Sequence, residues 1–268
     1  MIKKLKRYAA VAALLWLASG VAQAKVDTGV RLITADQPVV VANDKALAVL
    51  RIQSPWSWTS VFLMRLPTAG ELSDYETAKR AAYDKAGEKA GPYDNFVFDY
   101  QGVPNFYELP IKKAKVRGEV ALMVAELSPG DYILYGEGYS GFLYECLCFG
   151  TVGFTLGGGK VTDLGTFLID KAWEKSIVPE LTGVSGLGRI GRMDYGLFAV
   201  GLRPAQPGDI AVPGLDPAKI ATAQLHAIGP FVEANTVLAT RLAPIDGVLR
   251  YDGGRVIDVA SGKEALAN

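Results

Sequence analysis

From residue 29 onward, short runs of alternating or β-branched apolar residues recur along the chain, each cut off by glycine, proline or a small polar cluster. Such a rhythm leaves little room for anything but β-structure. Ala46-Leu-Ala-Val-Leu-Arg-Ile52 is the clearest run: extended, it places Leu47, Val49 and Arg51 on one face and Ala48, Leu50 and Ile52 on the other. Further strands are expected at Val30–Thr34, Val39–Val41, Ser60–Leu66, Asn95–Tyr100, Phe106–Ile111, Glu119–Ala125, Tyr132–Tyr135 and Val237–Leu242. Two hairpins are expected around glycine turns. One joins Thr151–Leu156 to Val161–Leu168 through Gly157-Gly-Gly159, and the other joins Val248–Tyr251 to Val256–Val259 through Asp252-Gly-Gly254. The fold class this predicts is mainly β, an antiparallel β-sandwich.

Two segments break the rhythm with helical signals. Leu72 to Gly87 is charged and alanine-rich, with Ser73 or Asp74 placed to cap its start, Gly87 to stop it, and Tyr75, Ala78, Ala82 and Tyr83 as its inward stripe. It predicts one inserted surface helix, either a solvated connection or a partner-binding surface. Asp216-Pro217 opens a second, shorter segment closed by Gly229, which predicts a short helix in the C-terminal half. Residues 177–215 are dense in glycine and proline, so the chain divides into a sandwich over residues 25–171 and a Gly/Pro-rich β region over 172–268, or forms a single domain with elaborate loops.

The first 24 residues are of another kind. Lys3, Lys4, Lys6 and Arg7 precede a short apolar run from Ala9 to Leu17, and Val21-Ala-Gln-Ala24 offers small residues at the −3 and −1 positions of a cleavage site. That order predicts a bacterial secretory signal removed after Ala24, with the periplasm as the expected destination. No second segment of membrane-spanning length follows. Removal takes four of the 28 cations and none of the 28 acids, leaving 244 residues with a formal charge of −4. A mildly acidic surface argues against nucleic-acid binding, which needs a basic stripe.

Leu127-Ser-Pro-Gly-Asp-Tyr132 places a φ-fixing proline and a turn glycine just before a tyrosine that opens the next strand. This pattern resembles that of transthyretin-like (prealbumin-like) seven-stranded sandwich modules of secreted bacterial proteins, over about residues 115–170. The resemblance implies an antiparallel sandwich with an adaptor or scaffold role rather than an activity.

The catalytic and cofactor signals are thin. Gly186, Gly188 and Gly191 satisfy G-x-G-x-x-G, but no strand delivers the first glycine. Glycines and prolines after Arg192 leave no helix to receive a pyrophosphate, so no cofactor is expected. Ser140 sits in half of a nucleophile elbow, with Phe142 where the final glycine belongs. The only histidine, His226, falls late in the short second helix, beside Leu225 and Ile228. Asp131, Glu137 and Glu145 lie near one another without a spacing that marks a glycosidase pair. Cys146-Leu-Cys148 admits three readings: two small buried side chains, a short-loop disulfide, or a soft-metal site. In a flat strand, Cα atoms two residues apart lie at the upper edge of disulfide geometry, so a bond needs a bulge or bend. Trp56 and Trp58 share a face of an extended segment, either as core or as a ligand-stacking platform. The expected role is that of an exported, non-catalytic cell-envelope protein binding a protein or glycan partner. An exported hydrolase using loop carboxylates is the alternative.

Overall fold

The computed structural model describes residues 26–27, 31–32, 40–55, 59–102, 104–111, 115–117, 120–138, 145–146, 149–171, 176–182, 189–190, 193–194, 198–209, 211–229, 242–252 and 255–265. The strands in the first half are β1 (Val26–Asp27), β2 (Arg31–Leu32), β3 (Ala46–Gln53), β4 (Ser60–Arg65), β5 (Phe106–Pro110), β6 (Lys115–Arg117), β7 (Val120–Leu127) and β8 (Gly130–Gly138), with helix α1 (Ala69–Ala86) between β4 and β5. After them come β9 (Glu145–Cys146), β10 (Val152–Leu156), β11 (Val161–Lys171), β12 (Arg189–Ile190), β13 (Met193–Asp194) and β14 (Phe198–Arg203). The chain closes with β15 (Ile220–Thr222), β16 (His226–Ala227), β17 (Leu249–Asp252) and β18 (Arg255–Asp258).

Two seven-stranded sheets carry the fold. One runs β1-β5-β4-β8-β10-β16 with β9 also on β8; the other runs β14-β11-β3-β7-β2 with β15 on β11 and β6 on β7. Pairing is mostly antiparallel, except that β1 lies parallel to β5, and β3 and β15 lie parallel to β11. Beyond residue 172, β14 pairs along Thr166–Lys171 of β11, so strands from both sides of that position share a sheet.

The alternation seen in β3 sorts its side chains as expected. Ala48, Leu50 and Ile52 enter the main core with Val61, Leu63, Leu109, Met123, Tyr132, Leu134, Phe154 and Phe167, drawn from both sheets. Leu47 and Val49 pack on the outer face with Leu122, Val124, Val161 and Val212. Small alanines on β3 and β7 leave room for rings from the opposite sheet, where Tyr132 and Phe154 stack at 5.8 Å between centroids.

The Leu127–Tyr132 pattern turns the chain from one sheet to the other, since β7 and β8 belong to different sheets. Gly130 takes φ 145° there, and the Arg65 Nε donates to the Pro129 carbonyl at 3.0 Å. The glycine turn after β10 does the same, which corrects the expected hairpin over Thr151–Leu168. Rather than folding back on β10, the chain crosses sheets: Gly159 donates to the Lys45 carbonyl at 2.8 Å, Leu47 donates to Lys160 at 2.9 Å, and β11 joins β3. The final hairpin forms as expected, with Leu249 opposite Asp258.

The expected helix over 216–229 is also corrected. Asp216 caps a start, accepting from the Ala218 amide at 3.0 Å, but only the 3₁₀ turn Pro217–Lys219 follows. Ile220–Thr222 then pairs with Val161–Asp163, on the part of the β11 edge that β14 leaves open. A helix this short is marginal on its own. Ladder hydrogen bonds and the packing of Ile220 against the outer cluster outweigh it. His226 consequently lies exposed on β16 rather than on a helix.

The chain separates into two compact units, one containing Pro67–Pro104 and the other Val26–Leu66 with Asn105–Asn268. In the first, α1 begins one turn earlier than Ser73 or Asp74 would set it. The Thr68 hydroxyl accepts from the Glu71 amide at 3.2 Å, and Glu71 accepts from the Thr68 amide at 2.7 Å, a complete capping box. Gly87, at φ 58°, stops the helix as expected. Asn95–Tyr100 forms no strand: after the 3₁₀ turn Tyr93–Asn95 the chain runs on with neither helix nor ladder. Its period-two aromatics serve the helix instead, as described below.

Candidate functional site

Trp56, Trp58, Ser140, Gly186, Gly188, Gly191 and Cys148 lie outside the described residues, as does most of Val237–Leu242. The residues flanking Gly191 are paired antiparallel, Arg189 with Asp194 and Ile190 with Met193, where a pyrophosphate loop requires the start of a helix. Asp131 is exposed and accepts from the Thr155 hydroxyl at 2.6 Å. Glu137 is buried six residues along the same strand, roughly 20 Å away by strand rise. Glu145 stands on β9 opposite Gly138, at the same far end of β8, so neither Glu137 nor Glu145 pairs with Asp131. His226 packs over Gly153, where an added Cβ would come within 2.7 Å of its Nε2.

Cys146 stands opposite Glu137, while the Phe149 amide donates to the Tyr135 carbonyl at 3.1 Å.

Among the described residues, the most buried ion pair is one that the sequence did not single out. Arg51 is 5% exposed and forms a bidentate pair with Asp163 at 2.7 and 2.8 Å, with Asp209 at 3.6 Å. The Gly165 amide, in a bulge of β11, donates to Asp163 at 2.9 Å. A lone arginine in an otherwise apolar strand and an aspartate in another were the available signal, because buried charges require partners. Every named carboxylate oxygen here is engaged with a cation or an amide, which suits a structural clamp better than proton transfer. Arg203 and Glu180 form a second forked pair, and the guanidinium hydrogen bonds hold the Glu180 carboxyl below its ordinary range. In the other sheet the Ser60 hydroxyl donates to buried Glu108 at 2.7 Å. No three His, Cys, Asp or Glu side chains among the described residues come together to hold a metal.

The Pro67–Pro104 unit gathers a different chemistry. Tyr75 and Tyr83, two turns apart on α1, meet the extended segment that follows. Tyr75 contacts Phe98 at 5.5 Å and Tyr100 at 5.2 Å, and Tyr83 contacts Tyr93 at 5.0 Å and Phe96 at 5.3 Å. The Tyr83 hydroxyl donates to the Gly91 carbonyl at 2.7 Å, and the Tyr93 hydroxyl donates to Glu76 at 3.1 Å. Lys79 and Arg80 lie 4.7 and 4.1 Å from the Tyr93 ring centre, within cation–π range. All six rings are only half buried, and Leu72 and Val97 stand more than half exposed beside them. The unit thus sets six aromatic rings beside two cations and a carboxylate.

No protein-family model, curated protein or solved structure matches the chain. Among the described residues, no helix is long and apolar enough to cross a membrane.

Proposed function

We propose that this is an exported, non-catalytic protein of the bacterial cell envelope, in which a β-sandwich scaffold carries the Pro67–Pro104 unit as a binding element for a protein or glycan partner. The half-buried six-ring cluster, with Lys79, Arg80 and Glu76 around Tyr93 and exposed Leu72 and Val97 in the same unit, is the observation that carries the binding reading. Its placement supports the division of labour: the chain leaves at Leu66 and returns at Asn105, whose carbonyl accepts from the Arg65 amide at 2.7 Å, so the insertion begins and ends on neighbouring strands. The charged start, apolar run and Ala22/Ala24 spacing support export. The transthyretin-like pattern over residues 115–170 supports a scaffold role.

The test replaces residues 67–104 by an Asn-Gly turn, which suits two antiparallel neighbours. The shortened protein is expected to fold and to stay in the soluble fraction, whereas the full chain sediments with purified envelope fragments. Equal sedimentation of both would count against the insertion as the binding element.

A further inference from the structure

We infer that the partner of the Pro67–Pro104 unit is an extended, basic segment of another protein, which adds as a strand along residues 96–100. This rests on the reading of the insertion as a binding element, and it chooses a polypeptide over a glycan. Along residues 95–100 exposed and half-buried positions alternate: Val97 and Asp99 face out, while Phe96, Phe98 and Tyr100 meet the tyrosines of α1. The Phe96 backbone lies in the β region, at φ −72° and ψ 121°. Its ring stacks on that of Phe98 at 6.3 Å, close to the two-residue repeat of a strand. Yet no backbone amide or carbonyl from Val97 to Tyr100 has a hydrogen-bond partner among the described residues. A strand-like stretch with unspent main-chain groups is a template for strand addition.

Chemistry narrows the occupant. A sugar stacks on an open ring face, and the rings here are engaged with one another: Tyr75 with Phe98 and Tyr100, Tyr83 with Tyr93 and Phe96, and Phe98 with Phe96 and Tyr100. What the segment leaves open is an aliphatic side chain, a row of amides and carbonyls, and negative charge. Val97 is 55% exposed. Asp94 and Asp99 are exposed, residues 93–101 hold no cation, and the whole unit carries seven acids against four cations. A second copy laid along this edge would double the acids and bring no cation, and like charges across a ladder are unfavourable. A lysine or arginine on an incoming strand instead finds Asp99 or Asp94 to pair with. Strand addition also supplies the burial that the unit lacks, since no described residue from Pro67 to Pro104 is buried. A unit of this size seldom holds together without such help.

The experiment uses the full chain and, as its probe, the acetylated and amidated peptide Lys-Val-Lys-Val-Lys-Val-Lys. Affinity is read by isothermal titration, and amide exchange over residues 96–101 by nuclear magnetic resonance. Saturable binding with a Kd below about 1 mM is expected. Protection should appear at alternate amides, either those of Val97 and Asp99 or those of Phe98 and Tyr100, because a single added strand pairs with one edge. Glutamate in place of every probe lysine should weaken binding about tenfold, and Asp94→Asn/Asp99→Asn about threefold to tenfold. Near-ultraviolet circular dichroism checks that this variant, changed only at exposed positions, stays folded. Absence of binding, protection without alternation, or equal affinity for the glutamate probe would each overturn the inference. Binding of purified peptidoglycan that depends on residues 67–104, without binding of the peptide, would overturn it and leave the insertion standing as a binding element. Dimerisation that depends on those residues would overturn it in favour of a second copy. Failure of the binding element itself shows separately, as equal sedimentation of the full and shortened chains with envelope fragments.

Discussion

The Tyr132 hydroxyl donates to the Ser128 carbonyl at 2.6 Å, tying off the corner where the chain leaves β7 in one sheet and enters β8 in the other. Tyrosine corners of sandwich folds use the same reach back to the backbone. Burial is the main cause that pushes this phenol far above its ordinary value, with Tyr107 adding to it, so it remains a neutral donor at any working pH. Tyr132→Phe keeps the ring against Phe154 and loses the hydroxyl's hydrogen bonds to Ser128 and Tyr107, for which about 1–2 kcal/mol is expected. Tyr132→Ala removes the ring as well and should cost about 3–5 kcal/mol. Urea unfolding midpoints distinguish the two. A Phe variant as damaged as the Ala variant would show that the bond, not the ring, holds the corner.

Arg51 and Asp163 should behave as a buried pair, with each charge tolerated only because of the other. Arg51→Met alone or Asp163→Leu alone is expected to cost about 3–5 kcal/mol, while the double change Arg51→Met/Asp163→Leu should recover most of the loss. Chemical denaturation of the three variants closes the cycle. Additive losses in the double variant would contradict the clamp.

Glu180 gives a pH dependence with a definite sign. Its carboxyl is held below the ordinary value of 4.5 by the Arg203 hydrogen bonds, so the folded state binds its proton less readily than the unfolded chain. The contribution to stability is therefore complete above the ordinary value and is lost as pH falls through the lower folded value. Thermal unfolding from pH 6 downward should show a flatter acid limb for Glu180→Gln than for wild type. Parallel limbs would mean that the pair contributes nothing measurable in water.

A bond between Cys146 and Cys148 is one of the three readings that the sequence offers, and it needs a bend that a flat strand lacks. In an oxidising compartment, thiol titration of the unfolded mature chain should find no free thiol before reduction and two after it. Two free thiols at the outset would restore the reading of two small apolar side chains. The closed loop is short, so Cys146→Ser/Cys148→Ser should leave the unfolding midpoint nearly unchanged.

What the sequence revealed was whatever neighbouring residues decide. The two faces of β3, the turn at Pro129-Gly130, the stop at Gly87 and the final hairpin all follow from side-chain alternation and backbone preference within a few residues. Partner choice was not legible. Gly157-Gly-Gly159 looks like a hairpin turn in either case, and only the Lys45–Leu47 backbone, more than a hundred residues earlier, draws β11 into the other sheet. Likewise, Asp216 and Pro217 started a helix as well as such residues can, and an open stretch of the β11 edge competed successfully for Ile220–Thr222. Phe96, Phe98 and Tyr100 alternate as a strand would, yet their rings serve a helix some twenty residues upstream. The Arg51–Asp163 pair spans 112 positions, a distance at which composition carries no register.

The sheet order also sets a timetable. Neither β3 nor β4, although consecutive, finds a partner in the other, and no described strand before Phe106 pairs with one that precedes it. Among the described strands, a chain emerging from its N-terminus therefore holds some hundred residues, the largely apolar β3 among them, before its first ladder can form. The centre of the second sheet waits longer still, until Val161 onward arrives to lie beside β3. Such non-local pairing makes folding slow, and a delay of that kind calls for something to shield Leu47–Ile52 in the meantime.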